Sequence, residues 1–193
     1  MPRLLLLAIS LLTFGCATTQ QVDRPQQAFF TALRSLCGQA FEGRVVTSDA
    51  ADRDMASQRL VMHVRHCSAD EVRIPFHVGE NRSRTWIVRD TPVGLLLKHD
   101  HRHEDGTEDA LTQYGGQTLS EGTARRQDFP ADMFTLALFR RQQMIPNLQN
   151  VWAMEVHPGR LFAYELRRPN RHFRVEFDLT RPVPPPPPPW GTA

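Results

Sequence analysis

The sequence has little of what usually assigns a chain to a well-known class of protein. Its 193 residues include only three cysteines, two tyrosines and a single lysine. It contains neither a G-x-S-x-G motif nor a glycine-rich phosphate loop, so the signatures of α/β-hydrolases and P-loop proteins are absent. The net charge is only +2 and the arginines are scattered, which does not favour nucleic-acid binding. We therefore expect one domain with no nucleic-acid partner.

The N-terminus carries a short targeting pattern. A basic start at Arg3 precedes the 11-residue apolar run Leu4 to Phe14, whereas a membrane-spanning helix needs ~20 residues. The run leads into LTFGC, which resembles the lipobox of bacterial lipoproteins. The resemblance implies a signal peptide over residues 1–15 and acylation of Cys16, which would attach the protein to a membrane. Because Ala17 rather than aspartate follows the cysteine, the resemblance also implies the outer membrane, facing the periplasm.

The alternative is an ordinary signal peptide that is cut near Ala17, which would give a soluble periplasmic or secreted protein. In either case the chain would enter an oxidising compartment with Cys37 and Cys67. An even pair of cysteines there predicts a disulfide bond. The alternative is two unpaired, buried thiols.

The C-terminus is rich in proline. Seven prolines fall between Pro182 and Pro189, and such a run favours an extended polyproline helix. It would serve as a stiff spacer or a peptide that contacts another protein, or it would be a disordered tail without a partner, which we favour, although Trp190 argues for a contact. With the N-terminal prediction, this divides the chain into a lipidated linker (residues 16–25), a barrel-like domain (26–181) and a tail (182–193).

Between these ends the pattern is mostly that of β-strands. PQQAFFTALRSLCG predicts an N-terminal helix, RLVMHVRHCSADEVRIPFHVG a hairpin, and SRTWIVRDTPVGLLLKHDHRH a second pair of strands. FPADMFTLALFRRQQ favours a short helix with Pro130 in its first turn, with a buried strand as the alternative. The last third, NVWAMEVHPGRLFAYELRRPNRHFRVEFDLT, predicts a three-stranded meander with one apolar and one wet face.

This order of elements predicts a mainly β fold. We expect a single antiparallel β-barrel or strongly curved sheet, with an N-terminal helix and one or two short helices, because closure removes the exposed sheet edges. The segment LCGQAFEGR resembles the G-x-W-x-G opening of calycin-type barrels, with Phe41 in place of the tryptophan. This resemblance covers fewer than ten residues and implies only the barrel.

The segment KHDHRHEDG is the one concentration of chemically versatile side chains. On a strand that continues GLLL, the histidines His99, His101 and His103 share the face of the leucines, and the charged residues between them share the other face. Two imidazoles at this spacing are able to hold one zinc ion, with His66 as a further ligand from the neighbouring hairpin. Two alternatives remain: a buried network in which the histidines hydrogen-bond to aspartate or glutamate without metal, and a solvated strand end before the turn EDG.

The other histidines fall on the polar faces of their strands, where we expect them to be solvated: His63, His77, His157 and His172.

Two classes of function remain. One is a binding or accessory module that holds an apolar or amphipathic ligand; the other is a histidine-cluster hydrolase or lyase, with or without zinc. We favour the binding module. A wide apolar cavity would indicate a carrier, a polar pocket around His101 an enzyme, and a filled barrel a structural protein.

Overall fold

The computed structural model describes residues 24–192, so the predicted lipidation site Cys16 lies outside the described part of the chain. Three α-helices occur there: α1 (Pro25–Arg34), α2 (Arg53–Ala56) and α3 (Met133–Arg141). The strands are β1 (Ala40–Val45), β2 (Leu60–His63), β3 (His66–Cys67), β4 (Glu71–Val78), β5 (Asn81–Thr91), β6 (Gly94–His101), β7 (Tyr114–Gln117), β8 (Arg126–Pro130), β9 (Val151–His157), β10 (Leu161–Arg168) and β11 (Arg171–Val183). None of the described helices has the length and apolar character needed to cross a membrane.

The strands form a nearly closed antiparallel barrel, as the sequence predicts. Ten of them follow the order β7-β6-β5-β4-β2-β1-β11-β10-β9-β8, and β3 pairs with β4 outside this path. The two terminal strands meet through a single bridge between Gly116 and Ala131. Because this seam joins what would otherwise be two free edges, it protects the sheet from pairing with other chains.

The barrel has two different ends. The helix end carries the β5–β6 turn (Thr91–Gly94), the residues that follow β7, and α1. There the Gln26 amide donates hydrogen bonds to the Thr118 hydroxyl and the Ser120 carbonyl, both 2.9 Å long. The opposite end, the loop end, carries the β6–β7 loop (residues 102–113) and α3. The apolar face of α1 packs into the barrel core, so access to the interior is from the loop end.

Aromatic side chains fill most of the interior. Trp86 stacks on Tyr164 and on Phe76, with ring centroids 4.4 and 4.7 Å apart, and Phe162 and Phe177 pack against it. The apolar face predicted for the meander is the inner face, and its members are buried except for the half-buried Leu166. The barrel is therefore a packed core rather than a wide apolar cavity.

The segment FPADMFTLALFRRQQ forms a helix, but the helix begins later than predicted. Pro130 is the last residue of β8, and α3 begins at Met133. The N-cap is Asp132, whose carboxylate accepts a 2.9 Å hydrogen bond from the Thr135 backbone N–H. An aspartate at the N-cap satisfies a backbone donor that would otherwise be unpaired.

The outer face of the barrel is less exposed to solvent than the sequence predicts. His63 and His77, expected to be solvated, are 6% and 4% exposed. Glu165 is also buried, because Arg126 and Arg174 contact its carboxylate at 3.1 and 3.0 Å across the outer surface of the meander. Alternation identifies which residues point outward, but it does not reveal what covers them.

The proline-rich tail accounts for part of this burial on the outer face. It leaves the barrel after Val183 at the helix end and runs back along the outer face, where Pro186 and Pro187 lie beside His77. At the loop end the Trp190 backbone N–H donates to the Arg82 carbonyl (3.1 Å), and the Arg82 guanidinium donates to the Pro188 carbonyl (3.1 Å). The prediction of a disordered tail is therefore wrong: the tail packs against its own barrel.

The predicted disulfide bond between Cys37 and Cys67 is present, with a Cα–Cα distance of 6.3 Å. Cys37 follows α1 and Cys67 ends β3. The bond therefore links the chain that follows α1, which closes the helix end of the barrel, to strand β3 at that end.

Candidate functional site

A small pocket enters the barrel from the loop end. Its volume is about 160 Å³, and its walls combine aromatic rings with titratable groups. The lining residues come from six strands and from the segment before β2: Asp52, Met55, Phe76, Arg84, Trp86, His99, His101, Tyr114, Tyr164, Leu166, Arg171 and Phe173. The pocket therefore contains both histidines that the sequence assigns to the inner face.

His99 lies at the bottom of the pocket and is almost fully buried, at 2% exposed. Its Nδ1 lies 3.1 Å from the Tyr114 carbonyl, which can only accept, so Nδ1 carries the proton. Its Nε2 then accepts from the Tyr164 hydroxyl at 2.7 Å. Burial lowers the pKa of His99 to about 3, so the ring is neutral at neutral pH. His99 is a fully hydrogen-bonded core histidine.

His101 lies nearer the mouth of the pocket and is partly buried. Its Nε2 is 3.1 Å from the Tyr114 hydroxyl. Burial, and then the positive charge of Arg84, lower the pKa of His101 to about 4. Burial also raises the pKa of Tyr114 to about 12. The His101–Tyr114 pair is therefore uncharged near neutral pH, and either member can reorient its proton towards a ligand.

Arg84 is the one cation at the pocket that has no carboxylate partner within residues 24–192. Its Nη1 donates instead to two neutral oxygens, the Asn81 side-chain carbonyl (3.0 Å) and the Ser83 hydroxyl (3.3 Å). Burial lowers the pKa of Arg84, yet an arginine side chain remains charged in proteins. Among the described residues, no carboxylate therefore contacts this guanidinium, whereas Asp109 and Asp100 act on His101, where their charges favour a higher pKa.

The other arginine of the pocket is neutralised. Arg171 contacts the Asp52 carboxylate through both of its terminal nitrogens and also contacts Asp49 at 3.2 Å. This ion pair holds the segment before β2 against the pocket rim. A ligand would therefore meet the guanidinium of Arg84 rather than that of Arg171.

The structure does not bring together the predicted zinc ligands. His66 is exposed on β3, beside Arg73 of β4, and is not among the pocket residues. Among the described residues, no group of three or more His, Cys, Asp or Glu side chains has the arrangement of a metal site. The zinc prediction from His66, His99 and His101 thus has no geometric support, because His66 follows β2 after its alternation ends. Instead, both histidine rings take part in a hydrogen-bonded network, and their side-chain partners are Tyr164 and Tyr114 rather than the expected aspartate or glutamate.

The predicted alternation along β6 is confirmed by the contacts on its other face. Lys98 pairs with Asp132 at 2.6 Å, and Asp100 accepts a 3.0 Å hydrogen bond from Arg102. His103 lies beyond the strand and is exposed, as expected for the start of the turn.

Sequence reasoning did not identify Arg84 as a member of the site, and it did not identify the polar roles of Tyr114 and Tyr164. The signal for Arg84 was its position two residues before Trp86, because residues two apart on a strand share a face. The register of β5 against β6 places Arg84 opposite His101 and Trp86 opposite His99. That pairing brings the cation to the histidines, and strand register is not readable from either strand alone.

Comparisons with known proteins do not identify the chain. No protein-family model matches it, and neither a curated protein nor a solved structure does so. The resemblances to lipoproteins and to calycin-type barrels therefore stay predictions, and function has to be argued from the pocket itself.

Proposed function

We propose that this protein is an exported, lipid-anchored module of the bacterial envelope that binds a small amphipathic anion in its barrel. The observation that carries the proposal is Arg84, a partly buried guanidinium that no carboxylate of residues 24–192 contacts, at an aromatic pocket. An unpaired charge in such surroundings is unfavourable. An anionic group of a ligand would supply the missing partner, while Phe76 and Trp86 would contact its apolar part.

The size of the pocket limits the ligand. A volume of about 160 Å³ is below the roughly 300–1,000 Å³ of pockets for drug-sized ligands, and corresponds to about five water molecules. A whole acyl chain does not fit. A short or aromatic carboxylic acid fits, as does the anionic end of a larger molecule whose remainder stays outside.

The neutral state of His101 adds a dependence on pH. An anion beside the ring would raise its pKa above the value of about 4 in the free protein, so the complex would bind more protons than its separate components. By linkage, affinity should rise as the pH falls from 7 through the raised pKa, and should level off below about pH 4, where the free protein is also protonated.

We expect Arg84→Met to weaken anion binding by about 10- to 150-fold, corresponding to the loss of one charged hydrogen-bonded contact. Tryptophan fluorescence, to which Trp86 of the pocket contributes, follows titrations with short and aromatic carboxylates and with their neutral amides. Arg89→Met is the matched control, since Arg89 lies on the same strand but outside, paired with Glu71. Benzenesulfonate serves for the pH series because it does not titrate in this range. Equal binding of acids and amides by the wild type would contradict the proposal.

A histidine-cluster hydrolase or lyase is the second candidate. The contact between His101 and the Tyr114 hydroxyl in an open pocket favours it. In the described residues, however, no carboxylate hydrogen-bonds to either histidine ring and the pocket is lined by neither serine nor cysteine, so the usual nucleophile and the carboxylate that orients its histidine base are missing. The pocket at His101 meets the criterion set for an enzyme and the barrel lacks the wide cavity of a carrier, but without a nucleophile the binding of a small anion remains the better-supported proposal.

The proposed lipid anchor rests on the lipobox-like segment LTFGC, and the variant Cys16→Ser tests it. We expect this variant to leave the membrane fraction while its melting temperature is unchanged, because residue 16 precedes every described element. Metabolic labelling with palmitate should mark the wild type but not the variant. The control is Ser35→Ala, an exposed change after α1 that retains the cysteine. Background labelling of the wild type would refute the lipid anchor.

A further inference from the structure

The helix end of the barrel exposes two large apolar side chains. Val93, in the β5–β6 turn, is 77% exposed, and Leu119, just after β7, is 85% exposed. Both line one groove together with Arg24, the first described residue. The hydrogen bonds from Gln26 to Thr118 and Ser120 fix α1 beside them. The chain that precedes α1 therefore joins the barrel next to the exposed side chains of Val93 and Leu119.

The tether available to a lipid at Cys16 would be short. Eight peptide steps separate Cys16 from Arg24, and they span at most about 28 Å when fully extended. The eight residues of β6, which run between the two ends, enclose seven steps and cover about 24 Å. The helix end would thus stay within about one barrel length of the lipid surface, whereas the loop end would reach the surface only with most of the tether extended.

We infer that the helix end is a membrane-docking surface, in which Val93 and Leu119 enter the lipid that holds the anchor. The inference rests on the proposed acylation of Cys16 and goes beyond it by assigning an orientation. The loop end, with Arg84 and the pocket, then faces the aqueous compartment. The ligand would enter the barrel from solution rather than directly from the bilayer.

The charges of the helix end indicate that apolar contact would carry the docking. The charged residues that line the groove are one exposed cation, Arg24, and two exposed acids, Asp90 and Glu121. A surface with little net charge gains little from anionic lipids. Docking should therefore occur on neutral phosphatidylcholine and should persist at high salt.

The loop end offers a competing apolar surface. Met133, Phe134 and Ile145 are 75%, 54% and 58% exposed there. The Phe134 ring is already in contact with Lys98, whose Nζ lies 4.9 Å from its centroid. The attachment point of the chain favours the helix end, and a residue from the competing surface provides the matched control.

The test uses the full lipidated chain, purified from membranes and reconstituted into phosphatidylcholine vesicles whose acyl chains are brominated. Leu119→Trp and Val93→Trp place a fluorophore at the helix end, and Ile145→Trp places one at the loop end. Wild-type emission is subtracted to remove the native tryptophans. We expect the brominated chains to remove most of the emission added at positions 93 and 119 and almost none of that added at 145, equally in low and high salt.

The outcomes separate the orientation from the anchor. Wild-type protein that does not float with the vesicles overturns the anchor, and the docking inference with it. Protein that floats without quenching at position 119, or with equal quenching at 119 and 145, overturns the orientation alone. Quenching at 119 that disappears in high salt overturns the apolar mode of docking. The Arg84 titrations are independent of all three results.

Discussion

Gly116→Ala should destabilise the barrel by about 3 kcal/mol or more. A Cβ at this position would overlap the carbonyl of Pro130, which is backbone and has no room to turn away. Gly116 also forms the bridge to Ala131 that closes the sheet. Inserting a methyl group into a fully packed contact typically costs about 1–3 kcal/mol, and the lost seam bridge adds to this. The free energy of unfolding from urea denaturation measures the effect.

Gly159→Ala is the matched control. Gly159 lies in the β9–β10 turn at φ +66°, and no atom lies within 4 Å of its added Cβ. That variant should lose only about 1–2 kcal/mol, the cost of a left-handed backbone for alanine. If the Gly116 variant is no less stable than the Gly159 variant, the seam is not closed as described. If the seam opens, the freed edges of β7 and β8 should also promote self-association, which size-exclusion chromatography would detect.

The sequence predicts the class of fold because its signals are local. Alternation in the last third assigns the inner residues of β9, β10 and β11, and their burial confirms it. The same rule puts His99 on the inner face. It fails for His77, because the Pro186–Pro187 segment that lies beside it is more than 100 residues away in sequence. No local period carries information about a contact of that range.

The site is less predictable than the fold for the same physical reason. The chemistry of the pocket depends on Arg84 lying opposite His101, and strand register is fixed by the whole sheet rather than by one strand. His66 illustrates the opposite error, because it was predicted to face the interior and lies on the surface. Its alternation with Met62 and Val64 predicts the inner face, but the chain leaves β2 after His63, and His66 emerges on the surface in β3. A period of two is informative only while the strand continues.

Removing the disulfide bond should have the other large effect on stability. The bond closes a loop with a sequence separation of 30 residues, for which the chain-entropy estimate is roughly 3.5 kcal/mol. Cys37 is exposed and Cys67 is only half-buried, so Cys67→Ala leaves no large cavity and the loss reflects the cross-link. For a chain of this size we expect the melting temperature to fall by about 7–14 °C. Calorimetry with and without a phosphine reductant measures it.

The reductant is also the control for this prediction. Reduced wild type and the double variant Cys37→Ser/Cys67→Ser should melt at the same temperature, and the double variant should not respond to reductant. The loss should appear first at the helix end, as faster amide exchange in α1, because the bond holds the chain after α1 to β3 beside the Gly38–Val64 backbone hydrogen bond of 2.7 Å. A wild type whose melting is unchanged by reductant, or whose two thiols are alkylated in the folded state, would show that the cross-link does not stabilise the barrel. Uniform exchange along the chain, with α1 no faster than β10, would instead assign the stabilisation to the unfolded state alone.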